Sequence, residues 1–427
     1  MRHRGDGSRP GRRRLRAGVA GLALSALLFA ACGESTDDED SGGSDDGGSS
    51  SEEETTDLLG PEDEASGDPV RIGMMSDGAT QAFDNTDELR AAQATADYWN
   101  LHKGGVGGRP VEVVTCETGA EPAGATDCAN QFVEEEVVAV TLSQSAVTAS
   151  VWEPLHAAGV PTFWLQAGGD VAVDDQSSFL MFNPALTLFG LPMSVAESEG
   201  AEKITFVVID VPQALETLEA AGPIMEEAGL EYEIVPVPVG TADMTAQMQQ
   251  VADSGSEVVQ VVGNDAFCIA AFNGLDAVGF EGAVTSITQC ITDATREAVA
   301  GDVLEGIYVT STISLGAEDD PTFQLYEEVL GTFGEGIQDA GNATAMGGYV
   351  AMASLLTSLE EIADPVTAES VIEAVKAMPE SDVPGGGGMT FQCGGSADPE
   401  QPAVCTNQSL RTQLDAEGQP TDYEAVG

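Results

Sequence analysis

Basic residues are scarce. The chain of 427 residues carries 15 Lys and Arg against 72 Asp and Glu, a formal net charge of −57. Seven arginines (Arg2, Arg4, Arg9, Arg12, Arg13, Arg14 and Arg16) fall in the first 31 residues with one acid, Asp6. That leaves 8 basic against 71 acidic residues, or −63, for residues 32–427. A surface so negative repels phosphate backbones and anionic head groups, which argues against nucleic-acid binding and electrostatic docking on a membrane. Histidine is rarer still, with only His3, His102 and His156. No HExxH, GxSxG or CxxC occurs, and none of Lys103, Lys203 and Lys376 follows a glycine as a phosphate-binding loop requires. The common zinc, hydrolase and nucleotide-triphosphatase signatures are therefore absent, and no catalysis, metal or cofactor is expected. Aromatic residues are few, at 5%, but hydrophobic residues at 42% are enough for a folded globule.

The N-terminus reads as an export signal. Residues 2–16 are basic, and residues 17–31 are an unbroken run of small and apolar residues. Fifteen residues fall short of the roughly 20 that a spanning helix needs, so residues 1–31 are expected to be a removable signal peptide. The string Leu28-Phe29-Ala30-Ala31-Cys32-Gly33 resembles the bacterial lipobox, with Phe29 where Leu is usual. The resemblance implies lipidation of Cys32 and an anchor on the outer face of the cell membrane. Residues 33–68 hold fifteen acids and no Lys or Arg, among many Gly and Ser. Such a stretch self-repels and buries little, so residues 32–68 are read as an extended acidic tether.

Six further cysteines remain: Cys116, Cys128, Cys268, Cys290, Cys393 and Cys405. An even number in an exported chain points to three disulfides, with about 15 connectivities open. Their clustering favours sequential pairs, since 116→128 and 393→405 then close short loops of equal spacing.

From Val70 onward short β-branched runs alternate with helical patterns. Strands are expected over Val70–Met75, Val111–Thr115, Val137–Leu142, Thr162–Leu165, Ile204–Ile209, Tyr232–Val237, Val258–Val262, Ala283–Ile287 and Ile307–Thr310. Helices are expected over Thr86–Leu101, Gly124–Glu135, Ala146–Ala158, Gln213–Ala228, Met244–Ser254, Ala266–Val278, Thr292–Ala300, Pro321–Phe333, Ala345–Ile362 and Ala368–Met378. Near-continuous apolar strands between helices indicate an α/β fold with parallel sheets covered on both faces. Nine such units exceed one ordinary sheet, and the rhythm breaks at Asn183-Pro184 and Gly190-Leu191-Pro192, so two Rossmann-like lobes are expected. The glycine run Gly104–Gly108 follows a helix and precedes a strand, the wrong context for a dinucleotide loop, and reads as a turn.

Ligands in such sheets sit beyond the carboxyl ends of the strands. Those ends carry Ser76 with Asp77-Gly78, then Ser143-Gln144-Ser145 and Gln166-Ala167-Gly168-Gly169. In the second series they carry Gly263-Asn264-Asp265-Ala266-Phe267 and Thr288-Gln289-Cys290. Hydroxyls and free N–H groups at a helix start suit an anion or acceptor, and glycines let a ligand approach the backbone. Phe83 and Phe267 are placed to wall a pocket, whereas Trp152 and Trp164 are expected in the core.

The lipobox, the acidic tether, Ile72–Thr80, the run Asp127-Cys128-Ala129-Asn130-Gln131-Phe132-Val133 and Gly263–Phe267 together resemble a bacterial ABC-transporter substrate-binding lipoprotein. The resemblance is to the branched-chain amino-acid (Leu/Ile/Val-binding) family with the type I periplasmic-binding fold, over about residues 69–427. It implies two lobes joined by three crossovers, with residues 69–186 and 313–405 in one and 187–312 and 406–427 in the other. It also implies an ABC permease and ATPase as partners, and a monomer. In amino-acid-binding members a Ser and backbone groups hold the ligand carboxylate, matching Ser143–Ser145 and Ala167–Gly169. An acid in the second lobe holds the ammonium, and that position falls on Gln289. An amide cannot supply the full charge, so either Asp265 or Asp170 substitutes, or the ligand is a neutral amide, a urea-like compound or a small carboxylate. A ligand-sensing receptor of the same fold and an exported enzyme are the alternative functions. Eight basic residues in the mature chain further suggest an external medium salty enough to screen self-repulsion.

Overall fold

A computed structural model describes residues 58–80, 84–211, 222–317, 319–337, 341 and 343–427, with Leu215 and Leu218. The expected signal peptide, Cys32, most of the expected tether, Phe83 and much of the helix expected over 213–228 lie outside the described residues.

Two sheets organise the chain. The first has six strands in the order β13-β5-β4-β3-β1-β2, the second seven in the order β15-β14-β10-β9-β8-β6-β7. The first comprises β1 (Val70–Ser76), β2 (Val111–Glu117), β3 (Ala139–Leu142), β4 (Thr162–Trp164), β5 (Ser178–Phe182) and β13 (Val404–Thr406), paired in parallel throughout. The second comprises β6 (Lys203–Ile209), β7 (Glu231–Val237), β8 (Val258–Val262), β9 (Ala283–Ile287) and β10 (Tyr308–Ser311), all parallel, then β14 (Ser409–Gln413) and β15 (Glu424–Val426), both antiparallel. A short pair, β11 (Ser381–Asp382) and β12 (Thr390–Phe391), stands apart. The chain passes between the sheets three times, from β5 to β6, from β10 to β13 and from β13 to β14. This is the α/β architecture of two largely parallel sheets expected from the alternating pattern.

Burial explains why the strands were readable. Side chains alternate across β1, with Val70, Ile72 and Met74 in one core and Met75 in another, each at most 2% exposed. In β6, Ile204, Phe206 and Val208 face one core while Val207 faces the opposite one. A sheet apolar on both faces must be covered on both. On the first sheet, helix Thr86–His102 packs against helix Ala343–Ser358 and against helix Pro321–Phe333.

The rhythm break at Asn183-Pro184 is a helix, Pro184–Glu199. Pro184 occupies its first position, where the missing N–H costs nothing and the fixed φ favours helix, and Pro192 lies inside it. Residues 59–66, counted above with the tether, are bonded to the folded body. Asp63 N–H donates to Leu101 O and Ala65 N–H to Asn100 O, both at 2.8 Å. Gly104–Gly108 is a turn, with Val106 bridging Arg109 and φ of +68° at Gly105. A Cβ there would lie 2.1 Å from Arg109 O, so only glycine fits. The disulfides join Cys116–Cys128, Cys268–Cys290 and Cys393–Cys405, the sequential pairing. Trp164 is fully buried, and the partly buried Trp152 stacks on His156 with its indole N–H on Ser178 Oγ at 2.8 Å.

Candidate functional site

A cavity of about 870 Å³ lies at the carboxyl ends of strands from both sheets. From the first sheet it takes Ser143 and Gln144 after β3 and Leu165 and Gln166 after β4; Asn85 and Glu88 open helix Thr86–His102 beside them. From the second it takes Thr288, Gln289 and Ile291 after β9, and Ser311, Thr312 and Ile313 at and after β10. Asp293, Arg296, Thr412 and Tyr423 complete that side, and Phe323, Glu327 and Gly347 come from the two helices packed on the first sheet.

The strand-end residues separate into two groups. Ser143, Gln144, Gln166 and Gln289 line the cavity. Ser145 does not; its hydroxyl donates to Asp77 Oδ1 at 2.9 Å and accepts from Val147 N–H at 3.2 Å. Asp77 also accepts from Thr118 Oγ1 at 2.6 Å and from Ala146 N–H at 2.7 Å, so this buried carboxylate clamps the loop after β3 to the ends of β1 and β2. Ser76 is buried, with its hydroxyl 2.6 Å from Glu88 Oε2 and 3.1 Å from Asn85 O. Ala167 is buried, and Gly168 and Gly169 lead into the short helix Asp170–Val173, away from the cavity lining. Asn264 caps helix Asp265–Val278 by accepting from Phe267 N–H at 3.0 Å. Asp265 is half-buried and accepts from Ala266 N–H at 2.7 Å, while Phe267 is 4% exposed in the second sheet's core. Gln289 is exposed within the turn Thr288–Cys290, which the Cys268–Cys290 disulfide ties to helix Asp265–Val278.

Sequence reasoning missed the acid that this geometry brings to the wall. Glu88 is 4% exposed and shares the buried stripe of its helix with Ala91, Ala92, Thr95 and Trp99. Burial raises its carboxyl to about 7; the Ser76 hydrogen bond and the nearby Ser143 hydroxyl favour the carboxylate, and Asp77 adds to the rise. Ser143 Oγ nevertheless has no hydrogen-bond partner of good geometry among the described residues. Helix Ala343–Ser358 reaches this corner through Gly347 and Gly348. A Cβ on Gly347 would lie 3.0 Å from Ser143 Oγ, and one on Gly348 would lie 2.3 Å from Glu88 O. An acid at a stripe position of an otherwise apolar helix face was the available signal.

Across the cavity, Arg296 donates from Nη1 to Asp293 Oδ1 and from Nε to Gly418 O, both at 3.0 Å. Tyr423 donates to Leu315 O at 2.9 Å, and burial pushes its phenol up to about 12. The arrangement offers hydroxyls, amides and carboxyls on facing walls, and among the described residues no nucleophile is paired to a base there. Such a lining can hydrogen-bond a polar molecule.

A profile described as periplasmic binding protein matches residues 69–404. Comparison with curated protein sequences finds no match. Among solved structures, the chain is similar to an ABC transporter substrate-binding protein from Sphaerobacter thermophilus, at 20% identity and TM-score 0.65 over 84% of this chain and 96% of that one. It is also similar to the branched-chain amino acid transporter substrate binding protein of Streptococcus pneumoniae in complex with isoleucine, at 17% identity and TM-score 0.61 over 84% and 99%. A fatty acid ABC transporter substrate-binding protein from Thermomonospora curvata matches at 15% identity and TM-score 0.60 over 86% and 93%.

Proposed function

Because the chain belongs to the periplasmic binding protein family, we propose that it is the solute-binding component of an ABC transporter, capturing a small polar molecule outside the cytoplasm and delivering it to a permease. In this reading Cys32 carries a lipid anchor and the acidic segment after it is the stalk. Residues 69–186 with 313–405 form one lobe, and residues 187–312 with 406–427 the other.

The observation that carries the reading is the cavity of about 870 Å³ built from strand ends of both sheets. That volume falls within the about 300–1,000 Å³ of small-molecule sites. A ligand touching both walls favours the arrangement in which they approach, by as much as its affinity differs between the two arrangements. The ligand classes compatible with this lining are a branched-chain amino acid, an amide or a small carboxylate. Solved relatives bearing branched-chain amino acid and fatty acid names mark how widely ligands vary on one fold.

Thermal unfolding of the mature chain in high salt, against a panel of these compounds, tests the proposal. A ligand at about 100 times its dissociation constant adds about 2.7 kcal/mol of stability. A raised midpoint with at least one class is expected; unchanged midpoints with all of them would remove the proposal's main support.

A further inference from the structure

We propose that Glu88 and Ser143 anchor an N–H-bearing group of the ligand, an ammonium or a primary amide, at the first-sheet wall of the cavity. This deepens the solute-binding reading above and rests on it. Glu88 and Ser143 both line the cavity, at 4% and 7% exposure. Glu88 Oε2 accepts from Ser76 Oγ at 2.6 Å, and a carboxylate has capacity for further donors. Ser143 Oγ, buried and unpartnered among the described residues, has unmet capacity beside it. A buried hydroxyl with no partner is costly, so a ligand that supplies one gains from the contact.

The charges around Glu88 set the sign of the group that fits. Asp77 follows β1, Glu327 comes from helix Pro321–Phe333, and helix Ala343–Ser358 carries no charged residue. On Glu88's own helix, Arg90 is turned to Asp87 at 2.6 Å. Arg296, the only base in the described lining, donates to Asp293 and Gly418 O on the second-sheet side. A carboxylate seated at Ser143 would therefore meet Glu88 and Asp77 with no cation beside it among the described residues. N–H donors would find acceptors there instead. The polarity is opposite to the one implied by the resemblance, which put the ligand carboxylate at the Ser143–Ser145 loop.

The test uses three compounds on one carbon skeleton, isoamylamine, isovaleramide and isovalerate, together with L-leucine. Each is titrated calorimetrically into the full mature chain in high salt, at about pH 6 and about pH 8. Binding of the amine or the amide, and not of isovalerate, is expected. Glu88→Gln should weaken the amine at least about tenfold while leaving the amide within a few-fold, which separates the two sources of N–H. Glu88→Met, without an acceptor, should weaken both. Ser143→Ala should weaken whichever binds several-fold and change the ligand-free melting midpoint little, because its hydroxyl makes no hydrogen bond of good geometry among the described residues and only adds to the field that favours the Glu88 carboxylate. Ionisation of Glu88 should tighten the amine at the higher pH. Isovalerate binding more tightly than both nitrogen compounds, or affinities unmoved by all three substitutions, would overturn the inference and leave the solute-binding reading intact. Failure of all four compounds to bind would overturn both.

Discussion

Glu88→Gln should make the protein more stable above neutral pH. The native carboxyl sits at about 7 against an ordinary 4.5, raised first by burial. Between those values the native state holds a proton that the unfolded chain has released. Stability therefore falls as pH rises. The contribution is fully present below about 4.5 and is lost as pH passes through about 7. At about 1.36 kcal/mol per pH unit, the loss comes to about 3 kcal/mol. Solvent screening takes little from this figure, because the side chain is almost wholly buried. Glutamine keeps the shape, and its oxygen can accept the Ser76 hydroxyl as Glu88 Oε2 does at 2.6 Å, but it does not titrate. Urea denaturation of both proteins in the same salt, at several pH values between about 5 and about 8, isolates the effect. Taking the difference cancels the many surface carboxylates common to both. The variant should be close to the parent at the acid end and gain up to about 3 kcal/mol at the other. A flat difference across that range, or one that favours the parent as pH rises, would refute the burial argument.

Other perturbations bear on the framework around the site. Asp77→Asn removes the charge from a carboxylate that accepts from Thr118, Ser145 and Ala146; a loss of about 2 kcal/mol is expected in denaturant melts, and unchanged stability would mean the clamp is idle. Gly348→Ala places a methyl 2.3 Å from the Glu88 carbonyl oxygen, so the two helices must part, costing about 1–3 kcal/mol in the same assay. Replacing both Cys116 and Cys128 by Ser opens a loop with a sequence separation of 12, which the chain-entropy model values at about 3 kcal/mol, read as a drop in melting midpoint. Six of the eight basic residues after residue 31 (Arg71, Arg90, Arg109, Lys203, Arg296 and Arg411) are already paired to acids, leaving most carboxylates to repel one another. The melting midpoint should therefore climb as salt is raised from about 0.1 M to about 1 M, where screening shortens to about 3 Å; a salt-independent midpoint would count against adaptation to a salty medium.

The parallel strands were legible because full burial demands an unbroken apolar run, as in Val258–Val262, where the expected and observed bounds coincide. β5, with Ser178-Phe179-Leu180-Met181-Phe182, has the same character, but Asn183-Pro184 directly after it reads as a break in the rhythm. β14 was illegible for a different reason: Ser409-Leu410-Arg411-Thr412-Gln413 is polar and alternating, and it joins the second sheet antiparallel to β10. Its place follows from pairing with residues about a hundred positions earlier, which no local pattern encodes.

The site divides along the same line. Strand ends can be read from sequence, and with them the polar residues that a ligand meets in a parallel sheet. Whether such a residue is free to meet one cannot be read there, because Ser, Asn and Asp at a strand end are equally suited to bonding their own loop. Ser143 and Ser145 stand two residues apart with the same side chain. Ser145 is spent on Asp77, a carboxylate 68 positions away, whereas Ser143 is buried under Gly347 with its hydroxyl unpartnered among the described residues. Asn264 is spent in the same way on the cap of its helix. What sets the proposed binding residue apart from the structural ones is unmet hydrogen-bonding capacity at a buried position, and packing of distant segments creates it. Glu88 shows the principle from the opposite direction. Its stripe position on an apolar helix face argues for a core residue, and only the approach of β3 and helix Ala343–Ser358 turns that buried acid into one wall of a cavity.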